Sequence, residues 1–293
     1  MENNLRYVFF GTPDFAAIVL EKLIRGGFKP EIIICNPDKP AGRNKALTLP
    51  PVKIIAQKYK LNISQPERLS DAYNSIADLN PELMIVAAYA KIIPEKFLIV
   101  PELGTIGVHP SLLPKYRGSS PIQSAILNGE KETGTTLFML DEKMDHGKII
   151  AEARLPISEK DNYESLTEKL AELSGDLLVK TLPEFLKNHI SPEIQNESNA
   201  TYTAKIKTED AFIEPRELVS AINNGGAAAE KINRKARAFY PEPGVWTILE
   251  KQTLIGKIIL PANKRIKIIE TEIMEGKLKV KKIQIAGKKP LSV

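Results

Sequence analysis

Apolar and polar positions alternate along the first 190 residues in two rhythms. Short apolar runs at Tyr7–Phe10, Glu31–Cys35, Leu83–Ala88, Thr105–Val108 and Thr135–Leu140 predict buried strands. Between them, apolar residues recur at helical spacing, as at Phe15, Ile18, Val19 and Leu23. Gly11 ends the first run. Thr12 is suited to cap the helix that follows, and Pro13 to its first turn. Residues 161–187 predict a long helix that closes the unit. Strands alternating with helices predict an α/β unit with a mainly parallel sheet covered on both faces. Ligands of such sheets gather at the carboxyl ends of the strands.

The pattern changes at residues 188–204, a polar stretch that reads as a linker. A helical segment, Glu217–Phe239, follows, interrupted at Asn223–Gly226. Strand-like runs then appear at Val245–Leu249, Leu254–Leu260, Arg265–Glu270 and Leu278–Ile285. Short strands in a lysine-rich setting predict a small β-barrel. The expected organisation is therefore a domain over 1–188, a linker over 189–205 and a β-domain over 206–293. The length of 293 residues also favours two domains.

Charge sharpens this division. Residues 201–293 carry 18 Lys+Arg against 10 Asp+Glu, whereas the rest of the chain carries 23 against 26. A basic C-terminal part suits a polyanion, because clustered cations displace counterions from phosphates. A lysine-rich solvated surface gives the same count, so charge alone leaves both readings open. No apolar run reaches the roughly 18–20 residues of a membrane span, and the first residues lack the order of a signal peptide. One cysteine, Cys35, excludes an intrachain disulfide. These features place the chain in the cytoplasm. It contains neither GxGxxG nor GxxxxGK[ST], so a dinucleotide or nucleoside triphosphate is not indicated.

Three segments carry candidate chemistry. In GTIGVHPSLLPKYRGSSPIQSAILNG (104–129), a buried strand runs into His109-Pro110. A histidine at a strand end is held rigidly and can act as a general base, although a lone histidine there is more often structural. In ETGTTLFMLDEKMDHGKII (132–150), a strand leads to an acidic turn with Asp141, Glu142 and Asp145. If the two strands are neighbours, Asp145 can approach His109 and favour its charged form. The plainer reading is a solvated turn. The spacing of His109, Asp145 and His146 matches no metal motif. In CNPDKPAGRNKALTLPPVK (35–53), Arg43 and Lys45 suit phosphates. A mobile surface loop is the alternative.

Taken together, these segments resemble the methionyl-tRNA formyltransferase family along almost the whole chain. The carriers are FGTPDFA (10–16), NPDKPAGR (36–43), HPSLLPKYRG (109–118), LDEKMDHG (140–147) and ARAFYPEPGVWT (236–247). The resemblance implies a Rossmann-like N-terminal formyltransferase domain and a C-terminal OB-like β-barrel that binds tRNA. It implies transfer of a formyl group from 10-formyltetrahydrofolate to the amine of initiator methionyl-tRNA, for translation initiation. A monomer with no metal and no membrane partner is expected. By the same resemblance, His109 and Asp145 are catalytic, and Ser111, Leu112, Leu113 and Pro114 contact the folate. Arg43 and Lys45 contact the tRNA.

One position departs from the family. Its third catalytic residue is an asparagine two residues before the histidine, and this chain has Gly107 there. The asparagine amide would donate to the oxyanion, and losing one such donor typically costs about 100- to 1000-fold in rate. Three readings of Gly107 compete: an inactivating variant, a natural member using water or a backbone N–H, and a protein that binds without turnover. The chain also stops at GKKPLSV, where the family usually continues through a short helical segment. The rival functions are a sugar-nucleotide N-formyltransferase and a non-catalytic tRNA- or folate-binding protein. A glycinamide-ribonucleotide formyltransferase would not need the second domain.

Overall fold

The structure, a computed structural model, describes residues 5–41, 46–255 and 258–293. Arg43 and Lys45 lie outside the described residues. The chain divides into two compact units. The first comprises Met1–Gly118, Glu132–Pro156 and Thr167–Tyr202. The second comprises Ser119–Lys131, Ile157–Leu166 and Thr203–Val293.

The first unit is built on one sheet. Strand β1 (Tyr7–Gly11) is buried at every residue and leads into helix α1 (Asp14–Arg25). Strands β2 (Ile32–Ile34), β3 (Ile63–Ser64), β4 (Leu83–Ala87) and β5 (Thr105–His109) follow. After β5 the chain passes through the loop at 110–120 and helix α2 (Pro121–Asn128), which groups with the second unit. It then returns as β6 (Glu132–Met139) and β7 (Ile149–Pro156), and enters the long helix α3 (Tyr163–Leu186). The sheet order is β7-β6-β5-β4-β1-β2-β3. The five strands β1 to β5 are parallel. Strands β6 and β7 extend the sheet antiparallel beyond β5. This is a Rossmann-like α/β arrangement with a central parallel sheet.

The apolar runs form strands because both faces of the sheet are covered. On one face Val8, Phe10, Ile34 and Met84 pack with Ile76 and Phe97. Each such side chain contributes about 1.5–3 kcal/mol on burial. On α1, Phe15, Val19, Leu20 and Leu23 are buried, while Lys22 pairs with Glu172 and Asp176 of α3.

The chain order reverses between β1 and β4. Strands β2 and β3 lie on one side of β1, and β4 and β5 on the other. Such a reversal opens a crevice at the carboxyl ends of the strands.

Thr12 does not cap α1. Pro13 takes the cap position without a side-chain bond, and Thr12 Oγ1 accepts the Asn36 N–H at 3.2 Å. The hydroxyl satisfies a donor just past β2, and so ties the ends of two parallel strands together.

In the second unit, the helical segment splits into α4 (Pro215–Asn223) and α5 (Ala227–Ala238), with Gly225 and Gly226 at positive φ between them. Strands β8 (Trp246–Ile248), β9 (Thr253–Ile255), β10 (Ile258–Leu260), β11 (Arg265–Met274), β12 (Lys277–Ile285) and β13 (Leu291–Ser292) follow. Strands β8, β11, β12 and β13 form a four-stranded antiparallel sheet, and β9 and β10 form a separate hairpin. The run Leu254–Leu260 is thus two strands rather than the single one expected. Its two halves pair with each other, Leu254 opposite Ile259 and Ile255 opposite Ile258, and the Gly-Lys pair that interrupts the run in the sequence is the turn signal that the apolar count passes over. Among the described residues, no helix is long and apolar enough to cross a membrane.

Candidate active site

The candidate site is assembled where β5 ends. Strand alternation puts Thr105, Gly107 and His109 on one face of β5. The antiparallel register sets Gly107 opposite Phe138 and His109 opposite Thr136 on β6. The acidic segment that follows β6 is exposed over residues 141–144, as a solvated turn would be, and then returns. It folds back over the same face, with Leu140 against Gly107 and Asp145 beside His109. Gly147 makes this return possible, because a Cβ there would lie 1.7 Å from the Met139 carbonyl oxygen. No side chain fits so close an approach.

His109 is almost enclosed, with 7% of its side chain exposed, and its Nδ1 lies 3.6 Å from Asp145 Oδ2. The other nitrogen, Nε2, is 2.9 Å from the Tyr116 carbonyl oxygen. A carbonyl only accepts, so Nε2 carries the proton and donates it. In the neutral ring the Nδ1 lone pair is then free to take a proton. The imidazolium so formed faces a carboxylate across 3.6 Å. The pair can therefore accept a proton from an attacking nucleophile and hold the resulting charge.

Both partners are held by unusual backbone. Tyr116 and Asp145 have φ of +61° and +48°, a region that non-glycine residues seldom occupy. The Gly118 N–H donates to Asp145 Oδ2 at 2.7 Å. Residues that hold rare conformations are over-determined by their surroundings, and such positions cluster at functional sites.

The loop after His109 is supported from within. Ser111 Oγ donates to the Lys115 carbonyl at 2.6 Å, and the Leu113 N–H donates to Thr136 Oγ1 at 3.1 Å. Ser111 and Leu113 are buried, while Leu112 and Pro114 are partly open. The structure thus uses two of the four expected folate-contact residues to hold the loop, and leaves Leu112, whose side chain lies against Gly134, and Pro114 partly exposed.

Gly107 lies in the β5 strand with its face occupied. A Cβ built on it would come within 2.3 Å of Leu140 Cδ1 and 2.5 Å of Phe138 Cε1. The space that an asparagine side chain would enter is filled by these two hydrophobic ends.

Sequence reasoning did not find the frame behind the acidic turn. Arg117 is fully buried. Its Nε and Nη2 donate to Gln195 Oε1 at 3.1 and 2.7 Å. Its Nη1 and Nη2 donate to the two oxygens of Glu197 at 3.0 and 2.6 Å. Nη1 also donates to Tyr202 Oη at 3.1 Å. The Glu197 carboxylate holds the guanidinium well in its charged form. These partners come from the polar stretch at 189–205, whose composition carries no sign of such a role. His146, on the acidic turn, bonds Asp141 at 2.6 Å and lies 3.6 Å from Glu197. Among the described residues, no cluster of three or more His, Cys, Asp or Glu is placed to hold a metal ion. Burial pushes the Cys35 thiol up to about 11, so it is not a nucleophile near neutral pH.

Comparison with known proteins bears on what this constellation belongs to. A family model described as formyl transferase matches residues 5–182. Methionyl-tRNA formyltransferase of Halorhodospira halophila is 42% identical over 240 residues, covering 82% of this chain and 74% of that protein. The enzyme of the same name from Kosmotoga olearia is 37% identical over 306 residues, covering 99% and 94%. The fold is shared with the N-formyltransferase of Helicobacter canadensis, whose structure holds folinic acid and dTDP-3-aminofucose. The TM-score is 0.62 at 20% identity, covering 97% of this chain and 96% of that one. With a formyl transferase match over the segment that carries the site, and close relatives over nearly its full length, the chain belongs to the methionyl-tRNA formyltransferase family.

Proposed function

We propose that this chain transfers the formyl group of 10-formyltetrahydrofolate to the amino group of initiator methionyl-tRNA. The observation that carries the reading is the His109–Asp145 pair at the end of a parallel strand, within a chain of this family. The amine attacks the formyl carbon and becomes cationic. His109 Nδ1 takes its proton, and Asp145 offsets the charge on the ring. The tetrahedral oxyanion collapses, the bond to the folate nitrogen breaks, and tetrahydrofolate leaves with a proton returned to that nitrogen. Leu112 and Pro114 offer apolar surface to the folate, on a loop that Ser111 and Leu113 hold in place.

The tRNA role rests on the basic C-terminal part and on the family. The second unit's strands would belong to an OB-like barrel that receives the tRNA, and Arg43 and Lys45 would contact its acceptor end. The chain would act as a monomer in the cytoplasm.

The test is direct transfer of formyl from 10-formyltetrahydrofolate to methionyl-tRNA, read as formylmethionyl-tRNA, with a dTDP-amino sugar as the competing acceptor. The expected product is formylmethionyl-tRNA, with the logarithm of tRNA affinity falling linearly against the logarithm of salt concentration. Formylation of the amino sugar alone would assign the chain to sugar nucleotides. Salt-sensitive tRNA binding without product would make it a binding protein.

A further inference from the structure

We infer that Gln195, locked by the buried Arg117, is a positioning residue that sets Asp145 against His109. The inference rests on the proposed roles of His109 and Asp145. Gln195 is buried, and its two amide ends face opposite chemistries. Its Oε1 faces the Arg117 guanidinium, which only donates. Its Nε2 donates to two carbonyls that only accept, those of Asp145 at 3.0 Å and Gly147 at 2.7 Å. The orientation of the amide is therefore fixed by its neighbours. It grips the backbone on both sides of His146, directly at the residue whose φ is +48°.

Three consecutive residues then hold both members of the pair. The Tyr116 carbonyl accepts His109 Nε2–H, and the Gly118 N–H donates to Asp145 Oδ2. Between them, Arg117 reaches the Asp145 carbonyl through Gln195. Side chain and main chain of Asp145 are thus referred to the same short stretch that orients the imidazole. The separation of 3.6 Å is short enough for charge stabilisation and sensitive to any drift of the turn. Gln195 touches no reacting atom in this scheme and acts only through Asp145.

Without the two N–H donors of Gln195, the turn keeps its sequence but loses the anchor at Asp145. A displacement of about 1 Å at such a site can cost on the order of 100-fold in rate. A group acting through Asp145 also has nothing left to act on once the carboxylate is gone, so the two substitutions must be non-additive.

The experiment is a kinetic double-mutant cycle on the full chain. Gln195→Leu removes both functions of the amide. Gln195→Glu keeps acceptors for Arg117 and removes the N–H donors. Each is combined with Asp145→Asn, and all variants are assayed below the onset of their thermal melts. The expected result is a kcat loss of about 10- to 100-fold for either Gln195 variant, with KM for both substrates within about threefold. In the Asp145→Asn background the loss shrinks below about threefold. Equal losses in both backgrounds would overturn the inference, because Gln195 would then act independently of Asp145. So would a loss confined to KM, or no loss at all. Wild-type turnover by Asp145→Asn alone would remove the proposed catalytic pair itself. An Asp145→Asn loss with unaffected Gln195 variants removes only the inference.

Discussion

His109→Ala lowers kcat for formyl transfer by about 100- to 10,000-fold, the range for loss of a positioned general base. The ring is the proton acceptor available beside Asp145, and its other nitrogen is committed to the Tyr116 carbonyl. Tyr116 holds that carbonyl at a positive φ, so the main chain does not follow a truncated side chain to restore the geometry. Binding behaves differently. The loop at 111–114 is held by bonds from Ser111 Oγ and the Leu113 N–H, neither of which involves the imidazole. KM for the folate donor is therefore expected within a few-fold of the parent. Steady-state kinetics with both substrates varied separates the two. A His109→Ala enzyme within tenfold of parental kcat would remove the histidine from the proton-transfer step.

Gly107→Asn, introduced alone, is expected to destabilise the fold and leave turnover unimproved. A donor at this position would stabilise the oxyanion, and such donors are worth about 100- to 1000-fold. Yet the first atom of the new side chain would meet Leu140 Cδ1 at 2.3 Å and the Phe138 ring at 2.5 Å. Phe138 is buried and stands edge-on to the His109 ring, with centroids 6.5 Å apart. Displacing it costs the overpacking penalty of about 1–3 kcal/mol and moves a neighbour of the base. Combining Gly107→Asn with Phe138→Leu and Leu140→Ala makes the room. That triple variant is expected to gain about 100-fold in kcat. Urea unfolding and formyl-transfer rates on the parent, the single variant, the Phe138→Leu/Leu140→Ala pair and the triple variant decide the matter. A hundredfold gain from Gly107→Asn alone would show that the two side chains swing aside without penalty. No gain from the triple variant would mean that the oxyanion is already held by another donor.

Most of the framework was legible in the apolar runs. Burial on both faces leaves β1 and β4 almost wholly apolar, and five such residues between polar flanks fit little except an inner strand of a covered sheet. His109 was legible for a similar reason, since a buried strand delivers its last side chain to a ligand-bearing edge. Its closeness to Asp145 was legible only on the condition that the two strands are neighbours, a condition that the β5–β6 register meets. The acidic segment had to double back across the sheet, and the local sign was Gly147, whose need for closeness is invisible until Met139 is seen beneath it. Thr12 misled because a hydroxyl before a helix usually caps it, whereas here an N–H past β2 claimed the oxygen. Gln195 was hidden because its partners lie 48 to 78 residues away in the chain, beyond any periodic or motif signal. Gly107 stood out as a departure, but its consequence depended on Phe138 and Leu140 across the strand.

The burial of Arg117 also fixes where an autonomous fragment of the first unit can end. A recombinant piece cut at residue 188 would retain the guanidinium and discard Gln195, Glu197 and Tyr202, which together take all five of its side-chain bonds given above. The cut takes away the counter-ion and the neutral acceptors together and uncovers the guanidinium, so the turn that carries Asp145 loses its anchor even where water replaces the lost bonds. The shortest piece that keeps all five of these bonds therefore runs through Tyr202, some distance past the point where composition alone would place the scissors.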